Sequence, residues 1–302
     1  MSQVSESCKR GERPAMTAMD AHQHYWRYRA AAYRWIAPGS VLACDRLPQD
    51  VHGAMIANGI ADCIAVQARQ DPAETDWLLA LAAEHRWIAG VVGWTDLTAA
   101  DLPDRLDRWQ GSRLVGLRHM IQDDPDPDWL ARGAARAGVA QVLERGLAYD
   151  ILVRPGQLAQ VPGFLHALPP DRGALILDHG GKPDIKRRGW QPWADDLRAI
   201  AAHPGVRCKL SGLVTEADHE HWNADDMRRY LDHLLDCFGP DRLMFGSDWP
   251  VCLLAAEYDR VVALIGDFVD AACPAQRAAI FGGTARRCYG VQEQDQDGFG
   301  TE

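Results

Sequence analysis

Two histidines one residue apart, His22 and His24, stand near the start of the chain, and Asp248 stands near its end, before Trp249-Pro250. A third imidazole, His179, follows Asp178 and precedes Gly180-Gly181. Imidazoles polarise carbonyls, hold developing oxyanions and bind divalent ions, and a carboxylate can take a proton from water. Each feature also has a plainer reading. A His-x-His pair is commonly an accident of surface or core. An aspartate in this position can cap a helix, and His-Gly-Gly can be a turn whose glycines supply positive φ. What favours chemistry is coincidence of position, because all of them fall where an apolar run ends.

The runs that would position these residues are Met19-Asp20-Ala21, Ile60–Gln67, Trp87–Trp94, Leu114–Arg118, Leu147–Val153, Ala174–Asp178, Val206–Ser211 and Leu243–Gly246. Between them lie helix-period stripes: Trp77, Leu78 and Leu81; Leu102, Leu106 and Trp109; Leu197, Ile200 and Ala201; Tyr230, Leu231, Leu234 and Leu235; and Val261, Val262, Leu264 and Ile265. Strands alternating with helices imply parallel βαβ units, and eight such units predict a single-domain α/β fold, a (β/α)8 TIM barrel. An open doubly wound sheet fits less well, since no Gly-x-Gly-x-x-Gly turn follows an early strand.

Catalytic groups of a barrel sit at the carboxyl ends of its strands. Those positions hold His22 and His24, Gln67 and Arg69, Arg118 and His119, Arg154, Asp178 and His179, Lys209 and Ser211, and Asp248. In a closed barrel the first and eighth strands are neighbours, so the histidine pair and Asp248 would be adjacent. The aromatic, proline-bearing segment 24–49 is too rich in Trp26, Tyr33 and Trp35 for a bare linker. It reads as a loop folded over the barrel mouth.

Of 302 residues, 47% are hydrophobic and 25% charged, which suits a soluble globular enzyme with a large core. A net charge of −10 with scattered basic residues argues against nucleic-acid and anionic-lipid partners. Lys186-Arg187-Arg188 reads as a solvated turn. Eight widely spaced cysteines without a Cys-x-x-Cys pair suggest neither a disulfide framework nor a zinc finger, and point to a reducing cytoplasm. No stretch reaches the roughly 18 apolar residues of a membrane span. Residues 1–16 read as a disordered extension, 17–290 as the barrel and 291–302 as an acidic tail, with Met1, Met16 or Met19 as the start. Oligomeric state is left open.

Three motifs carry a family resemblance. Asp20-Ala21-His22-Gln23-His24, Leu177-Asp178-His179-Gly180-Gly181 and Phe245-Gly246-Ser247-Asp248-Trp249-Pro250 resemble the signatures of the amidohydrolase superfamily, over about Met19 to Gly290. Gly116-Leu117-Arg118-His119, Lys209 to Glu216 and Ser247 to Cys252 narrow the likeness to its sugar-lactone hydrolases, in particular those acting on L-fuconolactone.

The resemblance implies hydrolysis of a sugar lactone, a small molecule, to the aldonic acid. Asp248 would be general base on water, and His22, His24 and His179 would polarise the carbonyl. Gln67, Arg69, Trp94, Arg118, His119, Arg154 and Trp249 would shape the substrate pocket. Metal-dependent relatives bind an ion through the His pair, a further lysine or histidine, and the aspartate. Here no lysine ends the fourth or fifth strand, and Arg154 stands where decarboxylase relatives place a histidine. An inward Arg154 would repel a cation. His22, His24 and Asp248 are thus ligands only if a divalent ion binds; no cofactor is expected to be required, although zinc suits the donors. Another lactone, such as L-rhamnonolactone or a dicarboxylate lactone, and a metal-dependent decarboxylation are the rival reactions; a non-enzymatic binding protein is the rival of another class. His219-Glu220-His221 and the acidic stretch Asp123–Asp128 read as solvated loops.

Overall fold

Every apolar run becomes a strand. The computed structural model describes residues 18–169 and 173–293; the expected N-terminal extension, with Met1 and Met16, and most of the acidic tail lie outside them. The strands are β1 (Ala18–Gln23), β2 (Ile60–Val66), β3 (Ile88–Gly93), β4 (Leu114–His119), β5 (Ala148–Ile151), β6 (Leu175–Leu177), β7 (Val206–Leu210) and β8 (Leu243–Phe245). They pair in parallel in that order. Closure comes from the backbone beyond β8: the Asp248 N–H donates to His22 O (2.9 Å) and the His24 N–H to Trp249 O (2.6 Å). The chain is a single-domain (β/α)8 barrel, and the bonds that shut it run through the residues of chemical interest.

The surrounding helices are α1 (Pro48–Ala57), α2 (Pro72–Glu84), α3 (Leu102–Arg108), α4 (Gly133–Glu144), α5 (Val161–Leu165), α6 (Trp193–Ala201), α7 (Ala224–Phe238), α8 (Tyr258–Ala272) and α9 (Thr284–Tyr289). Their ends follow local chemistry. Proline opens α1 and α2, where its missing N–H costs nothing, and Asp71 caps α2 by accepting from Ala73 N. Asn223 and Asp226 form a reciprocal capping box on α7, which ends at Gly239 with φ 66°. Along α7, Met227, Tyr230, Leu231, Leu234 and Phe238 are buried, a 3.6-period stripe laid against the barrel.

The barrel interior has two levels. One is apolar, with Met19, Ala21, Ile64, Val66, Val92, Ile176 and Met244, and α9 adds Ala285 and Tyr289 to it. The other carries charge: Arg118, Asp150, Asp178 and Lys209, all buried. Segment 24–47 folds into a small apolar cluster of Trp26, Tyr33, Ile36 and Leu42 with Ala68, flanked by Val251 and Leu254. It covers the loops after β2 and β8, as its aromatic content predicts. No helix among the described residues is long and apolar enough to cross a membrane.

Candidate active site

Asp20 organises the mouth from beneath. Its Oδ1 accepts from the backbone N–H of His22 (3.1 Å) and of Ser247 (2.8 Å). Its Oδ2 accepts from Gln23 Nε2 (2.8 Å) and Tyr258 Oη (3.2 Å). One buried carboxylate thereby fixes the β1 and β8 ends relative to each other. Above it, His22 Nε2 and His24 Nε2 are 3.2 Å apart, and Asp248 Oδ1 lies 3.3 Å from His24 Nε2 and 3.8 Å from His22 Nε2. The His179 ring stands 4.6 Å from that of His22, with Nδ1 2.9 Å from Ser211 Oγ. Two of the four, His179 (φ 55°) and Asp248 (φ 60°), adopt left-handed backbone that side chains rarely accept. Such conformations concentrate where a structure over-determines a functional geometry.

Hydrogen bonding constrains the protons. The Val66 carbonyl, 2.8 Å from His24 Nδ1, can only accept. Nδ1 of His24 therefore donates, and in the neutral ring Nε2 carries the lone pair. Burial, reinforced by the Lys209 ammonium, holds His22 well below the ordinary histidine range. Burial likewise pushes His179 down to about 4, so both rings are neutral near pH 7. For Asp248 burial alone would raise the pKa, but His179, the His24 contact and His22 outweigh it and hold the carboxyl well below the usual range. The site is an ionised carboxylate among imidazoles, buried at the barrel mouth.

Comparison with known proteins identifies the family. The amidohydrolase family model matches residues 19–291. The chain belongs to the amidohydrolase family. The L-fucono-1,5-lactonase of Burkholderia multivorans (strain ATCC 17616 / 249) is 47% identical over 287 residues, covering 91% of this chain and 96% of that protein. A second L-fucono-1,5-lactonase, from Burkholderia ambifaria, is 33% identical over 92% of this chain and 97% of its own. A crystal structure of a Burkholderia multivorans amidohydrolase with bound zinc superposes with TM-score 0.88 at 45% identity, over 91% of this chain and 99% of that one.

This amidohydrolase brings some of the expected pocket residues to the site and withholds others. Arg118 is central: NH1 lies 3.0 Å from Asp178 Oδ2 and 3.3 Å from His22 Nε2, and NH2 donates to Gln67 O (2.5 Å). Gln67 is buried beside it, its Nε2 donating to Arg118 O and its Oε1 unpartnered among the described residues. Trp94 is half-buried and donates to His119 Nδ1 (3.2 Å), while His119 Nε2 meets Asp124 (2.7 Å) and its ring stacks on Trp129. Arg69 reaches the covering loop, pairing with Asp71 (3.0 Å) and Glu74 (3.6 Å) beneath the Tyr33 ring.

One expectation needs correction. Arg154 does not point into the barrel: its side chain is 62% exposed and pairs with Asp123 on the rim. β5 ends at Ile151 and Pro155 opens a 3₁₀ turn, so the strand alternation that would turn Arg154 inward has lapsed. Trp249 packs against Tyr25 and is as buried as Asp248 and His179 beside it. His219 and His221 are exposed, bonded to Thr215 O and Asp218, and Asp123, Asp124 and Asp126 organise their own loop.

The donors fit a divalent ion. Separations of 3.2–3.8 Å among His22 Nε2, His24 Nε2 and Asp248 Oδ1 are close to the tetrahedral edge of about 3.4 Å expected for ligands near 2.1 Å. His22, His179 and Asp248 also converge as a set. These four residues would hold the ion, which supplies carbonyl polarisation and a more acidic water when bound. The cation that opposes it is Arg118, not Arg154, because its guanidinium already stands 3.3 Å from His22 Nε2.

Proposed function

We propose that this chain hydrolyses a sugar lactone of the L-fuconolactone type to its aldonic acid without requiring a metal. The observation that carries the reading is the buried Asp248 carboxylate set against His22, His24 and His179 at the barrel mouth. The 47% identity to an L-fucono-1,5-lactonase supports the choice of substrate.

Asp248 is the base on water, with the lone pair of His24 beside it to share the proton. His22 and His179 donate to the lactone carbonyl as it becomes an oxyanion, and each such donor is typically worth 10²–10³ in rate, about 3–4 kcal/mol. The role expected for His24 thus moves from polarising the carbonyl to accepting a proton, because its Nδ1–H is committed to Val66. A lactone is an activated ester, so neutral donors suffice, and the collected proton returns to the ring alkoxide.

A dicarboxylate lactone fits less well. It would need free guanidiniums as clamps, and Arg69, Arg118 and Arg154 are each already paired with a carboxylate of the chain. The test is a pH-indicator assay on L-fucono-1,5-lactone, an L-rhamnonolactone and a dicarboxylate lactone, repeated after chelation with metal content measured. Turnover of the first substrate that survives chelation is expected. Absence of turnover on sugar lactones refutes the substrate class, and complete loss on chelation restored by zinc or manganese refutes metal independence.

A further inference from the structure

One turn at the barrel mouth winds left-handed. His179, Gly180, Gly181 and Lys182 have φ of 55°, 58°, 69° and 54°, four successive residues in that region. The Lys182 N–H donates to His179 O (2.9 Å) and closes the turn. Glycine enters this region without steric cost, but His179 and Lys182 each crowd their Cβ against the following carbonyl. A run of this kind persists only where its surroundings over-determine it. Because φ and ψ aim the Cα–Cβ bond, the turn is also what puts the His179 ring 4.6 Å from that of His22 and its Nδ1 2.9 Å from Ser211 Oγ. An extended or right-handed path would carry the ring elsewhere.

The hold comes from α6. Trp193, its first residue, donates its indole N–H to Gly180 O at 2.9 Å, and both residues are buried. An indole nitrogen can only donate, and a buried carbonyl stripped of its donor is costly, so this bond resists any flip of the Gly180–Gly181 peptide. The Gly180 N–H, on the other side, faces the Cys208 sulfur, a weak acceptor. Packing supports the turn: a Cβ on Gly180 would fall 3.0 Å from Leu234, and one on Gly181 3.0 Å from Leu158. The Lys182–Glu216 pair (3.2 Å) is partly exposed and contributes little.

Trp193 is itself held in place. Its ring meets Trp190 and Tyr230 edge-on, at 5.6 and 5.4 Å between centroids. Tyr230 is tied to Gly189 O (2.8 Å), and His233, packed 5.3 Å from the Trp193 ring, to Ala194 O (2.9 Å). This aromatic group joins α7 to α6 and to the segment that precedes it, and delivers one N–H to the turn.

We propose that Trp193 is a positioning residue whose indole N–H holds the left-handed turn and so sets His179 against the reacting carbonyl. Its effect on rate rests on the lactone-hydrolysis reading; its hold on the turn does not. The variant is Trp193→Phe, which keeps an aromatic ring and removes the N–H. Amide hydrogen exchange followed by NMR should show Lys182 exchanging at least tenfold faster than in the wild type, while the β2 amides keep their rates. On L-fucono-1,5-lactone, kcat should fall at least tenfold with KM within threefold. In a His179→Gln background the same change should cost less than threefold, because the ring it positions is gone. If Trp193→Phe does not fold, benzothienylalanine at position 193, with sulfur in place of the N–H in a ring of the same shape, carries the same measurements. Unchanged Lys182 exchange, an unchanged kcat, or an equal loss with and without His179 overturns the proposal. A wild type inactive on sugar lactones, whose Lys182 amide is still released by the variant, would instead leave the hold standing and sink the lactonase reading.

Discussion

Asp248 sits at φ 60°, a conformation that asparagine tolerates about as well as aspartate. Asp248→Asn therefore keeps the turn whose N–H closes the barrel on His22 O, and it removes only the charge and the basic oxygen. That oxygen lies 3.3 Å from His24 Nε2, so one water beside the pair can contact both atoms at hydrogen-bond distance. Loss of a positioned general base typically lowers rate by about 10²–10⁴. The kcat should therefore fall by about 10²–10⁴, roughly 2.7–5.4 kcal/mol of transition-state stabilisation. The assay is indicator-detected proton release at pH 7 with saturating lactone, alongside a thermal melt. KM should stay within threefold and the melting midpoint should be close to wild type. Asp248→Ala is the control: it should lose similar activity while adding about 1–2 kcal/mol of left-handed backbone strain, visible as a lower midpoint. An Asp248→Asn enzyme retaining more than a tenth of wild-type kcat would remove this residue from the base role.

At Gly212 (φ 64°) an added Cβ would fall 2.6 Å from His179 Nδ1, so Gly212→Ala should displace that ring and strain the backbone. We expect at least a tenfold loss of kcat with a lower melting midpoint, and normal kinetics would show that His179 need not be held there. Folding pushes His179 from 6.5 down to about 4, so its contribution to stability is full above pH 6.5 and is lost as pH falls toward 4, at about 1.4 kcal/mol per pH unit. The stability advantage of wild type over His179→Gln, from urea melts at several pH values, should therefore shrink across that window; a constant difference would contradict the neutral assignment. Deleting residues 33–38 removes the Tyr33 bond to Glu74 (2.8 Å) and the Trp35 bond to Ala68 O (2.9 Å). KM should rise at least tenfold, and an unchanged KM would mean that this segment does not cover the substrate.

Strand positions were legible because a barrel strand buried on both faces reads as a continuous apolar run. The ends of those runs located His22, His24, Gln67, His179 and Asp248 without any coordinates. What failed was extrapolation past a strand end. Arg154 has inward parity only if β5 continues to it, and the chain leaves the sheet three residues earlier, at Ile151.

The signal left unread was the pairing of charges inside apolar runs. Leu117-Arg118, Tyr149-Asp150-Ile151, Leu177-Asp178 and Cys208-Lys209-Leu210 each place an ionisable group where a buried strand permits it only with a partner. Alternation turns all four to the same interior, and β4 and β5 put Arg118 beside Asp150 in register. Two positive and two negative charges on four successive strands leave each with an opposite neighbour, so the ion-paired layer follows from pattern and electrostatics together. The contact of Lys209 with His22 does not follow, because it depends on side-chain reach across the barrel from β7 to β1.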